Sequence, residues 1–254
     1  IEKCSLYVKT LPGMAAMVSG EVKFSDIKDV EIEDLLGRLP VPANQELLTK
    51  NIVNKVVLVT GAGGSIGSEL TRQIANLRPQ KLILLDSSEF ALYTIEQELR
   101  LHYAYVNVRV ILGCVTHAKM VEDVLRKYHV NTIYHAAAYK HVPMVEANPL
   151  AGLENNVLGT YVVAQAALNA KVDNMVLIST DKAVRPTNVM GASKRLAELT
   201  LQAFADHSGH TVYNMVRFGN VLGSSGSVVP LFKRQIKVGG PITVTHPDII
   251  RYFM

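Results

Sequence analysis

From Ile52 onward the sequence alternates short apolar, largely β-branched runs with longer amphipathic stretches. This alternation is the strongest constraint on the fold. Repeated strand and helix units bury both kinds of element most simply as parallel strands with helices laid on the sheet faces. Six runs qualify as strands, at 55–60, 81–86, 106–112, 132–138, 175–180 and 211–218. Nearly all are continuously apolar, as strands covered on both faces are. Between them Ile66, Leu70, Ile74 and Leu77 recur at helical spacing, as do Leu92, Ile95 and Leu99, then Val121, Val124 and Tyr128, then Leu158, Tyr161 and Leu168. Each stripe is expected to face the core. The fold class that follows is α/β, a Rossmann-like doubly wound parallel sheet with helices on both faces.

Residues 1–50 alternate poorly and carry Pro12, Gly13, Gly20, Gly37, Pro40 and Pro42. They read as a linker or the tail of a preceding domain, which leaves 51–254 as the α/β domain. With 48% apolar and 19% charged residues in 254, a large core is expected and disorder is not. No apolar run is long enough to span a bilayer, and no charged segment leads into an apolar one as in a signal peptide, so no membrane contact is expected from this stretch. Cys4 and Cys114 stand far apart, offering neither a disulfide framework nor a zinc site, and fit a reducing, cytoplasmic setting. The 26 basic and 22 acidic residues are scattered, which argues against nucleic acid and leaves a small anionic substrate open. No metal site is expected. The chain opens on Ile1 and stops at Met254, directly after Tyr252 and Phe253, and both ends read as cut from something longer, with the C-terminal substrate-binding part incomplete.

Thr60-Gly61-Ala62-Gly63-Gly64-Ser65-Ile66-Gly67 follows the first strand and opens the first helix, the context a dinucleotide fingerprint requires. Glycine there permits a positive φ, brings backbone close to a pyrophosphate and leaves helix N–H groups pointing at negative charge. Thr60, Gly61, Gly64, Ser65, Ile66 and Gly67 are therefore candidate cofactor residues. Asp86 ends the second strand 25 residues after Gly61, where a carboxylate meets the adenosine ribose and repels a 2′-phosphate. NAD is accordingly preferred, with NADP the alternative. Asp86 also fits a helix N-cap, together with Ser87 and Ser88.

The fifth strand ends in Ser179-Thr180-Asp181-Lys182, and a helix starting near Met190 carries Lys194 one turn later. Together with the glycine turn, His135-Ala136-Ala137-Ala138-Tyr139-Lys140-His141-Val142-Pro143 and Arg217-Phe218-Gly219-Asn220-Val221-Leu222-Gly223-Ser224, these runs resemble an extended short-chain dehydrogenase/reductase. The resemblance is to the nucleotide-sugar 4,6-dehydratases of capsule, O-antigen and protein-glycan synthesis, and most closely to UDP-N-acetylglucosamine 4,6-dehydratase.

The resemblance implies a transient oxidation at sugar carbon 4 by NAD, which acidifies carbon 5 so that water can leave from carbon 6. It implies that Lys194 holds the nicotinamide ribose, that Asp181 protonates the leaving hydroxyl, that Lys182, made neutral by desolvation and by the nearby charge, takes the carbon 5 proton, and that Thr180 reaches the 4-hydroxyl. It sets Ala136, Ala137 and Ala138 beside the cofactor, and Lys140, Met190, Asn220, Ser224, Ser225 and Arg251 on the substrate side. His141, Lys233 and Arg234 are weaker candidates for the same side. It further implies a homo-oligomer and, in larger relatives, membrane helices ahead of a cytoplasmic domain.

Two positions depart from the wider superfamily. Met190 stands where a tyrosine acts as base, as it does in larger members of the dehydratase group, and a thioether exchanges no proton. Cys114 stands where an aspartate meets the adenine, at a cost of about 1 kcal/mol for one hydrogen bond. As a buried thiol without a neighbouring His, Cys114 is expected to be inert. His135 reads as a satisfied core histidine, and Asn155 and Asn156 as helix surface. Two other functions fit parts of this pattern: a nucleotide-sugar 4-epimerase, which the missing tyrosine disfavours, and a dinucleotide-binding module without catalysis.

Overall fold

The computed structural model describes residues 9–10, 28–29, 44–221, 228–244 and 248. The chain divides into two units, Ile1–Ala43 and Asn44–Met254. In the first, β1 (Lys9–Thr10) pairs antiparallel with β2 (Lys28–Asp29).

The second unit opens with α1 (Gln45–Lys50), capped by Asn44, whose side chain accepts from the Leu47 amide. Its order continues β3 (Val56–Thr60), α2 (Ser65–Asn76), β4 (Lys81–Asp86), α3 (Glu89–His102), β5 (Val108–Leu112), α4 (Ala118–Tyr128) and β6 (Thr132–His135). Two short helices follow, α5 (Val142–Ala147) and α6 (Pro149–Leu153), then a π-turn (Glu154–Leu158) running into α7 (Gly159–Asn169). Then come β7 (Asn174–Thr180), a 3-10 turn (Asp181–Ala183), α8 (Val189–His207), β8 (Val212–Phe218) and α9 (Val228–Lys237).

All six expected strands are present and parallel, in the order β5-β4-β3-β6-β7-β8. The chain therefore reverses its direction of travel across the sheet between β3 and β6. That is the switch point where α/β sheets open a crevice at their carboxyl ends.

Alternation along the strands assigns the two faces. Val57, Val59, Leu82 and Leu84 pack with Ile74, Leu92, Ile95 and Leu99 from α2 and α3. Val56, Leu58, Ile83, Leu85, Ile133, Met175 and Leu177 pack with residues of α4, α7 and α8 on the other face. Leu58 has no exposed surface, so Leu58→Ala is expected to cost about 3 kcal/mol of unfolding free energy, measured by urea denaturation.

Two expectations are corrected here. Leu158 and Tyr161 are each 45% exposed, and the buried face of α7 is instead Gly159, Thr160, Val162, Val163, Ala164, Ala166 and Ala167. The physical reason is close packing: small residues let the helix backbone approach the sheet and α4, so its bulky side chains turn outward. The fourth strand also ends at His135 rather than at 138, because after the Ala136 amide bonds Thr60 O at 3.0 Å the backbone leaves the ladder and runs along the crevice.

Candidate active site at the carboxyl edge of the sheet

The turn after β3 is built by close approach. Gly61 has φ +65°, and a Cβ there would lie 2.6 Å from Ala137 N. At Gly67 a Cβ would lie 1.9 Å from Gly61 O, so the first turn of α2 can sit on the loop only without a side chain. Gly64 caps α2 with no side-chain bond, which leaves the leading amides of that helix directed at the crevice mouth. Asp86 closes the turn from β4: its Oδ2 accepts from the Gly63 amide at 2.8 Å and its Oδ1 from the Ser88 amide at 2.9 Å. Ser88, not Asp86, caps α3, because the residue that accepts from Ala91 N must precede the first helical residue.

These groups line a cleft of about 230 Å³ together with Ala136, Ala137, Ala138, Tyr139, Asn155 and Cys114. A strand-end carboxylate, Cβ-free backbone and an open helix N-terminus around an elongated cleft fit an adenosine diphosphate moiety. Thr60 and Gly67 are buried behind this surface, and Ser65 and Ile66 are half-buried in the first turn of α2. Cys114 is half-buried rather than sealed in the core, with its Sγ 3.1 Å from Thr116 Oγ1.

The second cluster lies at the end of β7. Lys194 is 4% exposed and its Nζ donates to Ile178 O at 2.7 Å, which ties α8 to the strand two residues before Thr180. Burial pushes the Lys194 ammonium down to about 8, against the opposing pull of Glu198. Thr180 Oγ1 donates to Asp181 Oδ1 at 2.9 Å, and Lys182 Nζ donates to the same oxygen at 3.0 Å. Burial alone would raise the Asp181 carboxyl, but the bonds from Lys182 and Thr180 hold it below its usual range. The Lys182 and Asp181 side chains lie 3.0 Å apart and are 36% and 42% exposed, so the pair remains open to solvent in this geometry.

The 3-10 turn is pressed against α8, where a Cβ on Gly191 would lie 2.4 Å from Lys182 O. Asn188 caps α8 through its bond from the Gly191 amide at 2.8 Å, and Glu146 accepts from the Val189 amide at 2.6 Å. Thr180, Asp181, Lys182 and Lys194 are thus brought together at one end of the sheet. Met190 is only 3% exposed in the first turn of α8. Lys140 and His141 are exposed or nearly so beyond β6, and Asn220 is half-buried after β8. Lys233 and Arg234 are exposed on α9. Ser224, Ser225, Arg251 and Cys4 lie outside the described residues.

Sequence reasoning missed two buried groups. Glu198 takes four bonds: Oε1 accepts from Ser179 Oγ at 2.6 Å and Arg217 Nε at 2.8 Å, and Oε2 from Arg217 Nη2 at 2.6 Å and Arg195 Nη1 at 3.0 Å. These bonds outweigh burial and hold its carboxyl low. The available signal was a glutamate one helical turn after Lys194 and flanked by Ala197 and Leu201. Asn156, read as surface, is 1% exposed: its Oδ1 accepts from Tyr139 N at 2.8 Å and its Nδ2 donates to Tyr139 O at 3.0 Å. The π-turn rotates it inward, and nothing in the local sequence marks such a turn.

Comparison with known proteins agrees with this geometry. The polysaccharide biosynthesis protein family matches residues 57–254. Over 245 residues the chain is 48% identical to the capsular polysaccharide biosynthesis protein CapD of Staphylococcus aureus, covering 96% of this chain and 41% of CapD. Over 208 residues it is 36% identical to a UDP-glucose 4-epimerase of Rickettsia rickettsii, covering 80% of this chain and 59% of that protein. A crystal structure of the dTDP-glucose 4,6-dehydratase DesIV from Streptomyces venezuelae, with NAD bound, superposes with a TM-score of 0.70 at 26% identity, covering 78% of this chain and 67% of that one. With a six-stranded parallel sheet, a glycine turn at its switch point and a lysine-bearing helix against β7, the chain belongs to the polysaccharide biosynthesis protein family, within the extended short-chain dehydrogenase/reductases.

Proposed function

We propose that this chain forms the cofactor-binding and catalytic part of an NAD-dependent nucleotide-sugar 4,6-dehydratase. Its substrate is a UDP-N-acetylhexosamine, UDP-N-acetylglucosamine foremost, converted to the 4-keto-6-deoxy sugar for surface polysaccharide. The observation that carries this reading is the single oxygen of Asp181 shared by the Thr180 hydroxyl and the Lys182 ammonium, beside a strand anchored by Lys194. Elimination needs an acid and a base on adjacent atoms, and a simple epimerisation does not.

NAD, held by the glycine turn, Asp86, Ala136 to Ala138 and Lys194, supplies the reversible oxidation at carbon 4. Asp86 already faces the cleft as a carboxylate, which supports NAD over NADP by repelling a 2′-phosphate. Thr180 takes the position nearest the 4-hydroxyl and passes its proton toward Asp181, a route that compensates for Met190. Sugar binding removes water from the Asp181–Lys182 pair, and in a lower dielectric the neutral pair gains on the ion pair. Lys182 gives up its own proton to solvent as the sugar enters and takes the carbon 5 proton, while the proton that Asp181 receives from the 4-hydroxyl is the one it delivers to the hydroxyl leaving carbon 6. Lys140, Met190, Asn220, Ser224, Ser225 and Arg251 complete the substrate side. The reading includes a cytoplasmic location, and a homo-oligomer through the exposed Leu158, Tyr161, Leu196 and Leu199.

The test is a mass spectrum of the product made by the full-length protein from UDP-N-acetylglucosamine and NAD in heavy water. Loss of one water with one deuterium retained at carbon 5 is the expected result. An epimer of unchanged mass favours the 4-epimerase reading, for which the Rickettsia rickettsii relative speaks. NAD binding without any product leaves only a non-catalytic module.

A further inference from the structure

Several fully buried polar groups of the second unit form a run of hydrogen bonds that the chemistry above does not use. At one end the Ala137 amide donates to Thr60 Oγ1 at 3.4 Å. Thr60 Oγ1 lies 2.7 Å from His135 Nδ1, and His135 Nε2 lies 3.2 Å from Thr160 Oγ1. Thr160 Oγ1 donates to Asn156 O at 2.7 Å. The Asn156 side chain then donates to Ser193 Oγ at 2.9 Å, and Ser193 donates to Met190 O at 2.7 Å. Thr60, His135, Thr160 and Ser193 have no exposed surface.

The direction of these bonds fixes the state of the ring. Thr160 has one hydroxyl proton, committed to Asn156 O, so its oxygen accepts from the imidazole and the ring proton sits on Nε2. Nδ1 is then the acceptor, and the Thr60 hydroxyl is its donor. Burial, reinforced by the charge of Lys194, pushes the His135 imidazolium down to about 3, so the ring stays neutral across the physiological range.

What the run joins gives it meaning. Thr60 opens the glycine turn, and Ala137 is the residue against which Gly61 is packed. Ser193 adjoins Lys194 on α8, and the π-turn is what brings Asn156 within reach of both Tyr139 and Ser193. We propose that this relay, with neutral His135 at its centre, is a positioning device that fixes the helix bearing Lys194 against the glycine turn, so that both ends of an extended dinucleotide are gripped in one geometry. His135 touches no reacting atom and acts through Thr60 and Thr160. The inference rests on the dinucleotide reading and adds to it a coupling between the two halves of the cofactor site.

Three measurements on the full-length protein test it. Nitrogen NMR is expected to show His135 neutral with the proton on Nε2 at pH 7, and the Nδ1–H tautomer or a charged ring overturns the relay. Calorimetric titration with NAD is expected to show about fivefold weaker binding for Thr60→Val and for Ser193→Ala, and no more than about tenfold for the double variant, because each breaks the same chain. Multiplying effects, alongside normal wild-type binding, overturn the relay alone. Absence of NAD binding by the wild type overturns the dinucleotide reading and this role with it. His135→Gln keeps one donor and one acceptor and is expected to bind NAD more tightly than His135→Leu, with the KM for the sugar nucleotide alike in both. Equal NAD affinity in the two overturns the proposal, and should His135→Leu fail to fold, the Thr60 and Ser193 cycle and the tautomer decide it.

Discussion

Gly67→Ala is expected to weaken dinucleotide binding on the order of 100-fold and to destabilise the second unit. The added Cβ would sit 1.9 Å from Gly61 O, and the obstacle is backbone on both sides. No rotamer change relieves it, so α2 must slide away from β3 or the turn must unwind. The expected cost is about 3 kcal/mol in urea denaturation, at the upper end for overpacking. A shift of even 1 Å moves the leading amides of α2 off the pyrophosphate, with a loss of NAD affinity on the order of 100-fold. Gly209→Ala is the matched control, because nothing lies within 4 Å of a Cβ at that position. Its stability should stay within about 0.5 kcal/mol of the wild type. Equal behaviour of the two variants would show that the turn is not the close-packed cradle described above.

Lys194→Met is the second large effect, and it carries a pH signature. Removing the ammonium leaves Ile178 O without its partner and deletes the positive charge beside the reacting groups. Turnover of UDP-N-acetylglucosamine by the full-length protein should fall on the order of 100- to 1000-fold. In the wild type, burial pushes Lys194 from its ordinary 10.5 down to about 8, so its charge, and with it kcat/KM, declines as pH rises through about 8. Stability moves the other way. Between about pH 8 and 10.5 the unfolded chain binds the proton that the folded chain has released, so the Lys194 contribution to stability rises with pH across that window. Subtracting the melting temperatures of Lys194→Met from those of the wild type should reveal that rise. A pH-independent difference would mean that Lys194 titrates as an ordinary solvated lysine.

The relation between sequence and site differs from one residue to the next. The glycine turn after β3 and the place of Asp86 at the end of β4 were legible because these features are local: a strand, a tight turn and a helix start are neighbours along the chain. The burial of Lys194 was not legible, since a lone lysine on a helix says nothing about burial, and its proposed role came only from family resemblance. Leu158 and Tyr161 misled because hydrophobic spacing marks an apolar stripe without saying whether smaller residues on another face pack more closely. Asn156 and Glu198 were invisible for a related reason. A polar residue is read as exposed until the partners that compensate its burial are known, and those of Glu198 come from Ser179, Arg195 and Arg217, on β7, α8 and β8.

By itself, the sequence determined the strand–helix order, the parallel sheet and the position of the glycine turn. All three follow from periodicity and backbone sterics acting over a few residues. Tertiary structure alone decided that His135 joins Thr60 to Thr160 in the interior and that Glu198 is buried against Ser179 and Arg217. These depend on distances between groups far apart in the chain, and electrostatics and hydrogen bonding inside a protein are set by such distances and by the exclusion of water.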